Sequence, residues 1–274
     1  HAIFFKDYFI ELEAKTIVVE GPYTDRDFLD DHGRYYLKCF RNIEKTTFRF
    51  HFFKVDISED QFRSFLEKEP KEKCSEILGS NYLGFIVVKP LMQTIIGRAC
   101  LKTYDESTDR HYHIRHRYNV NLFGIDLTVD SLAFQEQDSV VAACATSALW
   151  SAFHATGRLF QHPIPSPSAI TELATRTNPL DKRRFPNHGL TAEQMAHAIA
   201  GVGLDPEPIN AEDFYILKAT VCAYISVGIP PILGGWLIDT TRKPNQQWLG
   251  MHAVTIAGFG INQTIPPCGI VPLK

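Results

Sequence analysis

The sequence lacks three features that would each point to a particular partner or environment. It has no large excess of charge, because 28 Lys and Arg residues stand against 31 Asp and Glu residues for a net charge of −3, so no strong field favours nucleic acid or an anionic membrane. It has no apolar run near the roughly 18–20 residues that span a bilayer. Its six cysteines contain no C-x-x-C pair and no tight cluster, which argues against a zinc site and against a dense disulfide framework. We therefore expect a cytoplasmic protein with reduced thiols, no nucleic-acid partner and no membrane span.

What the sequence does contain falls into two regions. Residues 1–120 mix helical and strand-like patterns, and we expect them to form a mixed α/β accessory domain of unknown role. Autoinhibition, docking of a protein partner and substrate delivery are all open for this domain. In residues 121–274 helical patterns come first and short apolar β runs follow, an order typical of an α+β domain with a helical half packed against an antiparallel β half.

Local signals place several element boundaries. Ser58 with Gln61, and Thr191 with Gln194, each have the spacing of a capping box at the start of a helix. Ser166 followed by Pro at the first helical position indicates another helix start. The segment "FGIDLTVDS" alternates apolar and polar residues, which predicts a half-buried strand.

A cysteine in an unusually apolar helix is the first candidate for chemistry. In "FQEQDSVVAACATSALWSAF", nearly every residue after Ala142 is small or apolar, so the pattern predicts a helix buried on all sides, with Gly157 as its stop. Cys144 lies near its start, where unpaired backbone N–H groups and the positive end of the helix dipole favour a thiolate. The alternative stays open that Cys144 is an ordinary core thiol in an alanine-rich helix.

A nucleophilic thiol also needs a base and donors for the developing oxyanion. His252 is predicted to be the first residue of an apolar strand, "HAVTIAGFG", which would hold its ring rigidly. The backbone N–H of Cys144 and an upstream amide, Gln137 or alternatively Gln135, can serve as oxyanion donors. Taken singly, His252 is more typical of a structural histidine, and both glutamines are equally consistent with solvated loop residues.

These residues together resemble the papain-like cysteine peptidases. A glutamine, a short spacer and a cysteine at a helix start are followed about 108 residues later by "HAVTIAGFG", which is similar to the strand that the catalytic histidine opens in that superfamily. The short stretch from glutamine to cysteine, "ACATSALW" and "GIPPILGG" resemble most the branch of bacterial leader-peptide-processing peptidases. The resemblance covers about residues 125–274. It implies a papain-like domain, catalysis by Cys144, His252 and Gln137, and no cofactor.

The sequence departs from the pattern of this family in two places. The family places glutamine six residues before the cysteine, where this chain has Asp138, whereas Gln137 is seven and Gln135 nine residues before it. The family also orients its histidine with an Asn or Asp downstream, and Asn262 is the fallback candidate here. We expect a full-length protein to continue beyond Lys274 and to carry that acceptor within about twenty residues.

Three functions follow from these residues, and they differ in their products. The first is peptide-bond hydrolysis of a peptide or protein substrate through an acyl-thioester on Cys144. In the second, a transamidase or deamidase uses the same Cys144–His252 pair on a different acceptor or target. The third is a catalytically dead peptidase fold used for binding.

A histidine-rich stretch, "HYHIRHRYNV", raises the question of a metal site. It is predicted to be a strand on which His111 and His113 share a face, with His116 close by. No Asp, Glu or Cys nearby has convincing ligand spacing. We therefore expect a polar sheet face and no metal.

Overall fold

The computed structural model describes residues 2–104, 112–176, 185–243 and 248–260. These residues form a mixed α+β structure with antiparallel sheets. Its eight described α-helices are α1 (Ala2–Glu11), α2 (Arg26–Arg34), α3 (Glu59–Glu67), α4 (Lys71–Gly79), α5 (Cys144–Phe160), α6 (Pro167–Ala174), α7 (Ala192–Gly201) and α8 (Phe214–Ser226). Its described strands are β1 (Thr16–Tyr23), β2 (Thr47–Phe53), β3 (Tyr82–Val88), β4 (Ile96–Leu101), β5 (His116–Leu122), β6 (Ile125–Ser131), β7 (Ile232–Ile238) and β8 (Trp248–Thr255). No helix among the described ranges combines the length and the apolar composition needed to cross a membrane.

The chain divides into two compact units. Unit 1 contains the described residues within His1–Leu29, Phe40–Tyr104 and Arg115–Gln135, and unit 2 contains those within Asp30–Cys39, Asp105–Ile114 and Glu136–Lys274. This division differs from a single cut at residue 120. Strand β6 pairs along its whole length with β5 and therefore belongs to unit 1.

Unit 1 is built on a four-stranded antiparallel sheet in the order β1-β2-β3-β4, with a separate hairpin of β5 and β6. Tyr8 of α1 and Leu12, which directly follows the helix, are buried against apolar side chains of the sheet, among them Phe52 and Ile86. The predicted alternation of the β6 segment is confirmed, since its residues are buried and exposed in turn. Phe123 is the exception, because it lies in the β5–β6 turn with a positive φ of 50° and is exposed.

Unit 2 is organised around α5, of whose 17 residues twelve are buried. Helices α6 and α7 and the antiparallel β7–β8 hairpin pack against α5. The prediction that Gly157 ends this helix is wrong, because α5 continues to Phe160 and ends at Gln161, which has a left-handed φ of 58°. Gly157 is instead a site of close packing: a Cβ atom there would lie 2.7 Å from Cγ1 of Ile164.

Candidate functional site

Cys144 is the first residue of α5. Its side chain is partly exposed, whereas Ala143 and Ala145 on either side are buried. Ala143 occupies the N-cap position and has no side chain that could accept a hydrogen bond from the first turn. Backbone N–H groups at the start of α5 therefore have no side-chain cap, which is the environment that favours negative charge near a helix N-terminus.

The loop before Cys144 is held by one carboxylate. Oδ1 of Asp138 accepts hydrogen bonds from the backbone N–H groups of Val140, Val141 and Ala142, at 2.7–2.8 Å. The N–H of Asp138 in turn donates to the carbonyl of Ala142 at 2.8 Å. Asp138 stands six residues before the cysteine, where the resembled family has its oxyanion glutamine. Its carboxylate fixes the loop that delivers Cys144 and offers no donor to an oxyanion.

His252 lies on β8, opposite Gly235 of β7. The strand begins at Trp248, so His252 is its fifth residue, and the prediction that His252 opens the strand is wrong. Its ring is partly buried. The missing side chain of Gly235 leaves room beside the ring on that face of the hairpin.

The neighbours of Cys144 and His252 pack against each other. Ala253 forms a buried cluster with Ala145 and Ala148 of α5, and the hydroxyl of Thr255 donates a 2.6 Å hydrogen bond to the carbonyl of Ala148. Strand β8 therefore lies along the first turns of the helix that Cys144 begins. The small alanine side chains allow this close approach.

Cys144 and His252 themselves are not joined by a hydrogen bond. Within the described part of unit 2, no hydrogen bond joins the Cys144 sulfur to the His252 ring. Side chains alternate along a strand, so ordinary pleating directs His252 away from the face on which Ala253 packs. The structure therefore does not bring the Cys144 sulfur and the His252 ring into hydrogen-bonding contact.

The two candidate oxyanion glutamines differ in environment. Gln137, in unit 2, is exposed. Gln135, in unit 1, is partly buried, and its Nε2 atom is buried without a hydrogen-bond partner in the described residues. A buried amide donor without an acceptor is costly. The fallback orienting residue, Asn262, lies outside the described residues.

The histidine-rich stretch is not one strand. Strand β5 begins only at His116, whereas His113 stacks on the ring of Phe259 with 4.7 Å between centroids. His111 lies outside the described residues. In the four described ranges, no group of three or more His, Cys, Asp or Glu side chains is arranged to hold a metal ion.

Sequence patterns alone did not identify the role of Asp138. The signal was present, because an Asp followed by "SVVA" can accept hydrogen bonds from N–H groups two to four residues further on. Comparison of the chain with protein-family models, with curated proteins and with solved structures found no match.

Proposed function

We propose that this chain is a papain-like cysteine peptidase that cleaves peptide bonds with Cys144 as nucleophile and His252 as base. The observation that carries the proposal is the packing of β8 on α5, in which Ala253 and Ala145 belong to one buried cluster. These two alanines directly follow His252 and Cys144 in the chain. The resemblance of both motifs to the peptidase family supports the same assignment.

The reaction begins with attack of the Cys144 thiolate on the carbonyl carbon of the scissile bond, which forms a C–S bond. The oxyanion that results is stabilised by the N–H of Cys144 and by the amide of Gln137. The C–N bond then breaks, and His252 gives a proton to the leaving amine. Water, deprotonated by His252, hydrolyses the thioester and releases the acid and the thiolate.

The orienting acceptor of His252 is proposed to follow β8 in the chain, and Asn262 is the candidate within this sequence. An acceptor at the second ring nitrogen fixes the tautomer and supports the imidazolium. The reaction also requires a reduced thiol. All five cysteines in the described residues are free, which supports a reducing compartment such as the cytoplasm.

A binding module without catalysis is the second candidate. The absence of a hydrogen bond between Cys144 and His252 favours it. A transamidase or deamidase would use the same residues, so only the product distinguishes it from a peptidase.

The proposal is tested by incubating the chain with a pool of defined peptides and identifying products by mass spectrometry. Cleaved peptides with new termini are expected. Cys144→Ala and His252→Ala should each lower their rate of formation by at least about 10³-fold. Cys222→Ala is the matched control, because Cys222 is also a partly exposed free thiol in unit 2 but lies in the middle of α8.

Each other outcome has a definite meaning in this experiment. Crosslinked or deamidated peptides would show that the chain catalyses the transamidase or deamidase reaction and not peptide hydrolysis. A complete lack of products would favour the binding module. Cleavage that persists in Cys144→Ala would contradict the proposal.

A further inference from the structure

Unit 2 contains an apolar groove. It has a volume of about 770 Å³ and is lined by α5, α7 and α8, by residues 204–212 and by residues 229–234. Neither Cys144 nor His252 is among its lining residues. Its volume falls within the range of about 300–1,000 Å³ typical of ligand-binding clefts.

The walls of the groove carry large apolar side chains that remain accessible. Phe160 at the end of α5 is 49% exposed and Ile209 is 41% exposed. Helix α8, which forms another wall, is strongly apolar, yet Ile225 is its only residue classed as buried. Accessible apolar side chains that line a concave groove are the chemistry of a binding site.

The described residues that line the groove carry charge of a single sign. Asp205, Glu207 and Glu212 are among them, and no described Lys, Arg or His is. All three acids are exposed, and none forms an ion pair with another described residue. Their negative charges are therefore not neutralised within the described chain.

We propose that this groove docks a peptide segment of a partner protein that carries apolar side chains together with Lys or Arg. The apolar side chains fill the space between α5, α7 and α8, and the cationic side chains meet the three acids on the segment 204–212. Uncompensated charge at the rim favours a partner of opposite charge and speeds its association. The proposal is independent of catalysis, because it holds whether or not Cys144 is a nucleophile.

The test measures binding of a fluorescein-labelled peptide of leucines and lysines to the full chain by fluorescence anisotropy. Saturable binding is expected, and it should weaken as salt is raised, because exposed charge pairs are screened. Two further peptides of the same length separate the contributions: one of leucines and glutamates, and one of serines and lysines. Both should bind more weakly by at least about tenfold. Measurement in Cys144→Ala as well as in the unaltered chain distinguishes docking from cleavage.

Substitutions in the groove test whether the labelled peptide binds there. Ala196→Trp fills the groove from α7 and should abolish binding, whereas Ala200→Trp, on an exposed position of the same helix outside the groove, should leave it unchanged. If Ala196→Trp fails to fold, Thr220→Trp fills the groove from α8.

The triple variant Asp205→Asn, Glu207→Gln, Glu212→Gln should weaken binding by about tenfold. The triple variant Glu44→Gln, Asp60→Asn, Glu67→Gln changes the net charge equally at exposed acids of unit 1 and should have little effect.

Three results would overturn the proposal. The first is equal binding of the leucine–glutamate peptide, and the second is binding that survives both a folded groove-filling variant and the acid-to-amide variant. The third is self-association of the chain that the folded groove-filling variant abolishes, since a second copy would then be the occupant.

Discussion

At the scale of single residues, Asp138 links the loop before α5 to the position of Cys144. Its carboxylate accepts hydrogen bonds from three backbone N–H groups, and removal of the side chain leaves all three groups without this partner. We expect Asp138→Ala to lower the free energy of unfolding by about 2–4 kcal/mol. Asp138→Asn, which keeps one acceptor oxygen, should cost less.

Denaturant titration followed by circular dichroism measures the effect of both Asp138 variants. Asp213→Ala is the control, because the Asp213 carboxylate caps α8 by accepting a hydrogen bond from the N–H of Tyr215, and its removal should cost only about 1 kcal/mol. An Asp138→Ala chain no less stable than Asp213→Ala would show that this carboxylate does not hold the loop.

A second residue-scale prediction concerns the oxyanion donor. We expect Gln137→Ala to lower kcat by about 10²-fold with little change in KM, because an oxyanion donor acts in the transition state. Gln135→Ala, which changes a residue of unit 1, should keep kcat within about threefold. Steady-state kinetics on a cleaved peptide measure both variants. Unchanged kinetics in Gln137→Ala would remove its side-chain amide from the mechanism.

The third residue-scale prediction concerns His51 in β2, which is fully buried in unit 1. Its Nδ1 lies 2.8 Å from the Tyr82 hydroxyl, and its Nε2 lies 3.2 Å from the Glu20 carboxylate. Burial lowers the pKa of His51, the hydrogen bond to Glu20 opposes that shift, and the charge of Arg49 adds to it. The unfolded chain therefore takes up a proton at a higher pH than the folded chain.

It follows that the contribution of His51 to stability is fully present above about pH 7 and falls as the pH drops below the ordinary histidine value of about 6.5. His51→Gln should flatten the slope of unfolding free energy between about pH 7 and pH 5. The matched control is His197→Gln, which changes a partly exposed histidine. The pKa of Glu20 is also lowered from 4.5, so its contribution is lost at more acidic pH. An unchanged slope in His51→Gln would contradict this account.

At the scale of elements, we expect alanine substitutions at two helical glycines to change the free energy of unfolding in opposite directions. Gly157 lies inside α5, where a Cβ atom would come within 2.7 Å of Ile164 and 3.2 Å of the His162 carbonyl. Gly33 lies in the last turn of α2 and has nothing within 4 Å of the same position. We expect Gly157→Ala to lower the free energy of unfolding by about 1–2 kcal/mol, because overpacking outweighs the gain in helix propensity. Gly33→Ala should raise it by about 0.5–1 kcal/mol.

Thermal and denaturant unfolding of the two glycine variants check the pair of predictions together. Stabilisation by Gly157→Ala would mean that Ile164 moves away without cost. Destabilisation by Gly33→Ala would mean that the position needs glycine for a reason other than space.

The same elements show which features a sequence can predict. The capping boxes Ser58–Gln61 and Thr191–Gln194 are confirmed, because both partners lie within one helical turn. The end of α5 was mispredicted, because Gly157 makes room for Ile164 from the segment after the helix and does not end the helix. A local sequence pattern does not contain that contact. The start of β8 was mispredicted because its pairing with β7 extends back to Trp248.

At the scale of the whole molecule, the candidate pair belongs to one unit although 108 residues separate its members in the sequence. The motifs around Cys144 and His252 predict a catalytic pair without any knowledge of the distance between the two residues. The buried cluster that holds Ala253 and Ala145 depends on the tertiary arrangement of β8 and α5, which no local pattern supplies. The groove with Asp205 and Glu207 escaped sequence reasoning for the same reason, because its walls come from separate parts of unit 2.

The central claim is that Cys144 is a thiol activated through His252, and its alkylation rate tests that claim most directly. The full chain is treated with iodoacetamide at about pH 6, where ordinary thiols, with pKa values of about 8.5, are mostly protonated. Labelling of each cysteine is then followed by peptide mass mapping. Cys144 should react at least about tenfold faster than Cys222, and His252→Ala should remove the advantage whereas His197→Ala should not. Equal rates at the two cysteines, or a Cys144 rate that His252→Ala leaves unchanged, would contradict the assignment of this pair.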